Sequence, residues 1–504
     1  MTFTKYFLIA IILLLTQNLK AQVLEIPQDT VITTYHKGTF NGRPLQYTAE
    51  TGMQPFWNEK GEVKATLHYT YYHLSDDKKA KQNLAERPLL ISFNGGPGSA
   101  SVWMHIAYTG PVLLNIDAEG HPVQPYGIRE NPYSVLDVAD ILYVNPVNTG
   151  YSRTVTKKDE KVNRQEFFGI NADIQYLGSW LNTFIGRHNR WLSPKYLIGE
   201  SYGGTRVSGL AYELQAKHWI YLNGVILVSP ADYKSYAADS PVSDALNLPY
   251  FTATAWYHQQ LTPDLQSKPL AEILPEVEDF TVNQLMPALS RGGFLSEQEK
   301  EDLSSKIATY TSLNKRDILQ QNLAVSTRFF WKTLLKNEKG MTIGRLDSRY
   351  FGIDRKDMGT SPEYYPEITS WLHAFTPAIN YYMREKLNFK TDIKYNVFGS
   401  VHPWNKENNH TRDNLRKAMA ANPYLKVLFQ TGYYDGATTY FNSKYTMWQI
   451  DPSGKLKDRF EFHTYPSGHM MYLRLEDLKA ATNHLREFIV GSMENAQHFP
   501  AKYD

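Results

Sequence analysis

The sequence predicts an α/β protein whose central sheet is mostly parallel and is interrupted by a helical cap insertion. Three observations predict it. Short apolar runs rich in branched and bulky side chains recur, each closed by a Gly-, Asn- or Ser-rich turn, as strands buried on both faces read. Helical patterns lie between these runs, and alternation of strand and helix builds an open parallel sheet. The middle third loses the strand pattern and reads as helices.

At the N-terminus, Lys5, the apolar run Tyr6–Leu15 and a polar stretch containing Ala21 have the form of a secretory signal peptide over residues 1–21. An apolar run of this length is short of the ~20 residues that span a bilayer, so no stable membrane insertion is expected. The product is expected to be exported, into a periplasm or out of the cell. Before about residue 85 the chain is rich in Thr, Tyr and Val, as in Ala65–Tyr72, which predicts antiparallel strands. Parallel strands are expected at Leu89–Phe93, Ile141–Val144, Tyr196–Ile198, Val225–Val228 and Val427–Phe429. Within the helical stretch, Ser296-Glu297-Gln298-Glu299 after Leu295 has the pattern of a capping box. Gly340 is expected to close a helix carrying Phe329, Phe330, Trp331 and Leu334. Leu475, Leu478, Leu485, Phe488 and Ile489 form one apolar stripe near the C-terminus. Strand-like segments resume after the helices, so the chain returns to one sheet. The expected division is a core over 22–237, a helical cap over 238–389 and the rest of the core over 390–504. A separate helical domain with its own role is the alternative.

Composition removes several classes of function. Lys plus Arg number 53 against 51 Asp plus Glu, a formal net charge of +2. That gives no basic surplus for nucleic acid and none for an anionic membrane surface. Cysteine is absent, which excludes disulfides, a thiolate nucleophile and Cys-ligated metals. A hydrophobic content of 42% is too high for a disordered chain.

Chemistry concentrates in four segments. Gly199-Glu200-Ser201-Tyr202-Gly203 is a G-x-S-x-G after an expected strand and before a helical stretch, the context of a nucleophile elbow. A Gly-rich helix start is the plainer reading. Asn94-Gly95-Gly96-Pro97-Gly98-Ser99 follows the strand Leu89–Phe93, and such a loop can turn backbone amides towards a developing oxyanion. It could also be a simple turn; it lacks the lysine of a P-loop. Asp435 lies in Gly432-Tyr433-Tyr434-Asp435-Gly436 after the strand Val427–Phe429. His469 lies in Ser467-Gly468-His469-Met470 after the strand-like Phe460–Tyr465. His105, His402 and His463 are its rivals. The order Ser, Asp, His is that of the α/β-hydrolase fold.

Together these segments resemble the serine carboxypeptidases (peptidase S10). The resemblance extends to Asn131-Pro132-Tyr133-Ser134 and to Pro146-Val147-Asn148-Thr149-Gly150-Tyr151-Ser152, and covers roughly residues 85–235 and 390–490. It implies an α/β-hydrolase fold, Ser201 as nucleophile, His469 as general base and acid, and Asp435 as the group orienting His469. It implies oxyanion donors at the amides of Gly96 and Tyr202. It also implies that Asn94, Gly95 and Glu200 bind the terminal carboxylate of a peptide, with a proton shared between the two carboxyl groups because adjacent anions repel. The expected substrates are peptides with a free C-terminus; no metal or other cofactor is expected. Many eukaryotic members carry a Trp where this chain has Ser92 and a Glu where ungapped counting reaches Tyr108, and they have disulfides. The carboxylate-binding network is therefore expected to be thinner here. The Ser99–Trp103 continuation resembles bacterial relatives. An esterase or acyltransferase using the same triad, and a non-catalytic peptide-binding relative, are the alternatives.

Overall fold

The computed structural model describes residues 28–75, 84–156, 161–231 and 240–497. The expected signal peptide and the first two residues of the expected cap lie outside them. Among the described residues no helix is long and apolar enough to cross a membrane.

The chain opens with β1 (Thr30–Phe40), β2 (Arg43–Trp57) and β3 (Val63–Leu74), which pair antiparallel as a meander. The parallel strands are β4 (Leu89–Phe93), β5 (Asp140–Val144), β6 (Lys195–Glu200), β7 (Gly224–Val228), β8 (Lys426–Gly432) and β9 (Phe460–Tyr465). They form one sheet in the order β1-β2-β3-β5-β4-β6-β7-β8-β9, with Arg153–Thr154 added beside β3. Pairing is antiparallel up to β3–β5 and parallel from there on. This is the α/β-hydrolase architecture, and every strand expected from the sequence is present.

The parallel strands are buried on both faces because successive side chains point to opposite sides. Leu90, Ile141, Ile198, Ile226 and Leu428 pack on one face. Leu89, Ile91, Leu142, Leu197, Val225, Val427 and Phe429 pack on the other. The second face is covered by α2 (Ile170–Arg187), α3 (Tyr202–Lys217) and α9 (Thr411–Ala421), which contribute Trp180, Phe184, Leu210 and Leu415. The first face is covered by the C-terminal α11 (Leu475–Gln497), whose Leu478, Leu485, Phe488 and Ile489 form the expected stripe; Leu475 is half-buried.

Between β7 and β8 the chain is mainly helical. α4 (Leu248–Tyr257), α5 (Leu270–Phe280), α6 (Glu297–Thr311) and α7 (Thr327–Thr333) share a core of their own, with Phe251, Ile273, Val277, Ile307 and Phe330 inside it. The Ser296–Glu299 capping box opens α6. Gly340 closes a separate short turn at Lys336–Lys339, in the left-handed region at φ 59°, because Leu335 leaves helical geometry and ends the preceding helix. The following α8 (Pro366–Tyr381) behaves differently: Trp371, Phe375 and Ile379 pack into the core of the first sheet face, beside Trp103 of α1 (Val102–Ala107). α10 (Tyr440–Ile450) follows β8.

Candidate active site

Ser201 occupies the single residue between β6 and α3. Its backbone is at φ 57° and ψ −125°, a conformation L side chains rarely adopt. The neighbours must then come very close. A β-carbon on Gly199 would lie 2.1 Å from the Gly203 carbonyl oxygen, and one on Gly203 would lie 2.7 Å from that of Phe93. The turn is held by Ser201 N–H donating to Val228 O (2.9 Å) and by Ala231 N–H donating to Ser201 O (3.0 Å). This is the strained strand–turn–helix that the spacing of its glycines predicts.

Asp435 and His469 leave the ends of the adjacent β8 and β9. His469 Nδ1–H donates to Asp435 Oδ2 at 2.6 Å, leaving Nε2 as the other ring nitrogen. Asp435 is fully buried and satisfied: Oδ1 accepts from the amides of Ala437 (2.8 Å) and Thr438 (3.0 Å), and Oδ2 also accepts from Thr438 Oγ1 (2.6 Å). The His469 backbone is pinned as well, its N–H donating to Leu346 O (2.6 Å) and its carbonyl accepting from Ser229 Oγ (2.8 Å). Burial disfavours the imidazolium. The charge and hydrogen bond of Asp435, with the charge of Glu200, outweigh it and raise the ring's pKa above its ordinary 6.5.

Ser201, His469, Gly95, Gly96, Tyr202 and Glu200 all line one cavity of about 460 Å³. Among the described residues no hydrogen bond joins Ser201 Oγ to the His469 ring. Such contacts are often long before substrate enters and tighten in the loaded enzyme. Gly95 presses on the elbow so closely that a β-carbon there would lie 2.5 Å from the Tyr202 nitrogen. The loop and the helix start are thus in contact through backbone.

Asn94 and Glu200 are joined directly. Asn94 Nδ2 donates to Glu200 Oε1 at 3.0 Å, and Asn94 Oδ1 accepts from the Met104 amide at 3.2 Å. Burial raises the Glu200 pKa, with partial opposition from His469, Tyr472 and Asn94. The other Glu200 oxygen accepts from the Tyr472 hydroxyl. Tyr472 stacks on Tyr108, ring centroids 4.8 Å apart and planes 6° from parallel, and Tyr108 OH donates to Gln430 Oε1 at 2.6 Å. A phenol from the His469 loop thus joins the network around Glu200, a partner that the sequence comparison at Ser92 and Tyr108 did not include. Tyr472, three residues after His469, carried no motif of its own, and neither did Thr438. The same is true of Asp173 and Arg206, a buried ion pair (2.7 Å) behind the elbow whose guanidinium also donates to Asn94 O (2.7 Å).

The rival histidines lie elsewhere. His105 is buried against Tyr72 and Tyr143, its pKa pulled down to about 3 by burial. His463 is tied to Glu461, and His402 is exposed. Asn131 spans the carbonyls of Tyr108 and Gly110, a structural use of that landmark.

A family model described as serine carboxypeptidase matches residues 49–500. The chain belongs to the serine carboxypeptidase family. Among curated family proteins, Arabidopsis thaliana serine carboxypeptidase-like 8 is 28% identical over 201 residues, 38% of this chain and 42% of that protein. Serine carboxypeptidase-like 10 from the same plant is 29% identical over 199 residues, 37% of this chain and 42% of that protein. The chain thus spans about two fifths of the length of these curated relatives. A crystal structure of a prohormone-processing carboxypeptidase from Saccharomyces cerevisiae superposes with a TM-score of 0.52 at 13% identity, covering 90% of this chain and 92% of that one. That likeness establishes the family's α/β-hydrolase fold in this member.

Proposed function

We propose that this serine carboxypeptidase family member is an active peptidase that releases C-terminal amino acids from peptides through an acyl-enzyme on Ser201. The observation that carries the reading is the buried His469–Asp435 pair on the same cavity as a strained Ser201, with Asn94 and Glu200 joined beside it. His469 takes the Ser201 proton as the hydroxyl attacks the last peptide carbonyl. Asp435 holds the ring with Nδ1–H towards itself, so that Nε2 is the basic atom, and stabilises the imidazolium that forms. The amides of Gly96 and Tyr202 receive the oxyanion. His469 then protonates the departing amino acid, and water repeats the cycle on the ester.

Asn94, Gly95 and Glu200 hold the substrate carboxylate in this reading. Glu200 can do so while it carries a proton, and its burial favours that form. In this reading the helices α4–α7, which share a core of their own within the expected insertion 238–389, make up the cap. The leader-like start supports export, and the Ser99–Trp103 continuation with the cysteine-free chain supports a place in the bacterial branch.

The test is incubation with an N-blocked dipeptide bearing a free C-terminus across a pH series, with Ser201→Ala as control. Release of the terminal amino acid is expected, lowered by several orders of magnitude in the variant. Near wild-type cleavage by Ser201→Ala, or failure of a fluorophosphonate to label Ser201, overturns the assignment.

A further inference from the structure

Among the described residues lining the cavity, the side chains that can carry a charge are Glu200, Arg345, Lys406 and His469. Glu200 and His469 are engaged with Asn94, Tyr472 and Asp435. Lys406 is exposed next to Trp404. Arg345 is half-buried, and among the described residues its guanidinium has no carboxylate partner and donates no hydrogen bond. It lies over the Tyr365 ring, 5.7 Å from the centroid.

A guanidinium has five donors and keeps its charge at any working pH. Removing it from water without an acceptor is unfavourable, and an arriving anion relieves that state. The residue is also held in place. Its amide donates to Glu367 Oε1 (3.1 Å), and its carbonyl accepts from the Gly436 amide (3.0 Å), one residue from Asp435. The next residue, Leu346, carries the carbonyl that fixes His469. Arg345 is therefore carried by the chain that braces His469 and Asp435, and its charge reaches the His469 ring. Glu200, joined to Asn94, reaches the cavity from a different part of the chain, the elbow after β6. The lining of the same cavity also includes apolar Leu346, Ile368 and Trp371.

We propose that Arg345 is a specificity-determining residue that makes this site favour peptides with an acidic side chain next to the scissile bond. The inference rests on the carboxypeptidase reading and adds a substrate class to it. The terminal carboxylate goes to Asn94 and Glu200, while Arg345 pairs with a side-chain carboxylate of one of the two residues flanking the bond, in the bidentate geometry guanidinium groups favour.

The experiment uses N-blocked dipeptides with a free C-terminus, comparing Glu with Gln at the terminal and at the penultimate position. For the wild type, kcat/KM is expected to favour Glu over Gln about tenfold or more at one of the two positions, as a hydrogen bond to a charged group warrants. The ratio should shrink as salt is added. Arg345→Gln should bring the ratio close to one, and Arg345→Lys should keep part of it. A wild-type ratio near one at both positions overturns the inference alone, provided the neutral peptides are cleaved. So does an Arg345→Gln variant that loses acidic and neutral peptides equally with its ratio unchanged, which would make Arg345 the clamp for the terminal carboxylate. Cleavage of none of the peptides by the wild type overturns the carboxypeptidase reading and this inference with it.

Discussion

Replacing Gly95 with alanine is expected to damage catalysis without altering any side chain that does chemistry. A β-carbon at this position would lie 2.5 Å from the Tyr202 nitrogen, 2.7 Å from the Glu200 carbonyl oxygen and 2.9 Å from the Gly203 nitrogen. Ordinary contact begins near 3.4 Å, so against Tyr202 the shortfall is 3.4 − 2.5 = 0.9 Å. All three obstacles are backbone, and none can rotate aside. The glycine loop and the elbow must therefore move apart by roughly an ångström, and displacement of that size can cost about 10²-fold in rate. It falls on the two amides assigned to the oxyanion, where losing one donor costs about 10²–10³-fold. The expected result for Gly95→Ala is a kcat lowered about 10²–10³-fold for peptides and simple esters alike, because both pass through an oxyanion. The assay is steady-state turnover of both substrate types, with circular dichroism to establish that the variant is folded. A folded Gly95→Ala protein with kcat within about threefold of wild type would refute the placement of the oxyanion site between this loop and Tyr202.

Further outcomes follow from the groups around Glu200. Glu200→Gln removes one of the charges that raise the His469 pKa, so the rising limb of the ester pH–rate profile should move to lower pH; a limb that stays in place contradicts that coupling. The same variant should lose more on free-carboxylate peptides than on esters, and equal losses would remove Glu200 from carboxylate recognition. Tyr472→Phe deletes a donor that lowers the Glu200 pKa. The Glu200 carboxyl should then hold its proton to higher pH, and the falling limb for peptides should shift upward. Leaving a buried acceptor unpaired should also cost about 1–3 kcal/mol of stability, read as a lower urea midpoint. Glu367, buried at the start of α8, has its pKa pushed from 4.5 up to about 7 by burial. The folded state therefore holds this proton more tightly than the unfolded chain. The stability it confers is complete below about pH 4.5 and is lost as pH rises to about 7, at most about 3 kcal/mol. Glu367→Gln should flatten that decline, and denaturation midpoints at pH 5 and pH 8 that change in parallel with wild type would contradict it.

Much of the site was legible because its chemistry imposes local geometry. A serine on a strained turn needs glycines around it, so Gly199 and Gly203 announced Ser201. A backbone-lined loop likewise announced Asn94–Ser99. Asp435 and His469 were legible from their order and their place after strands, and Gly468 with the helix that follows favoured His469 over His105 only as a sign of a loop. What separates them is environment: one ring faces a buried carboxylate, the other is enclosed by tyrosines. The helix expected to end at Gly340 breaks earlier, at Leu335, since a left-handed glycine marks where a helix ends and not where it began.

By itself, the sequence determined which strands are buried on both faces and which short segments carry the strained serine, the His469–Asp435 pair and the glycine loop, because periodicity and turn chemistry act between near neighbours. Only the tertiary structure decided that Tyr472 completes the partners of Glu200 and that α8 packs with the sheet while α4–α7 keep a core of their own. It alone decided that Arg345 lines the same cavity as Ser201 and His469 with no ion pair among the described residues. Those outcomes depend on contacts between residues tens to hundreds of positions apart, and no local spacing records which side chains a folded chain will bring face to face.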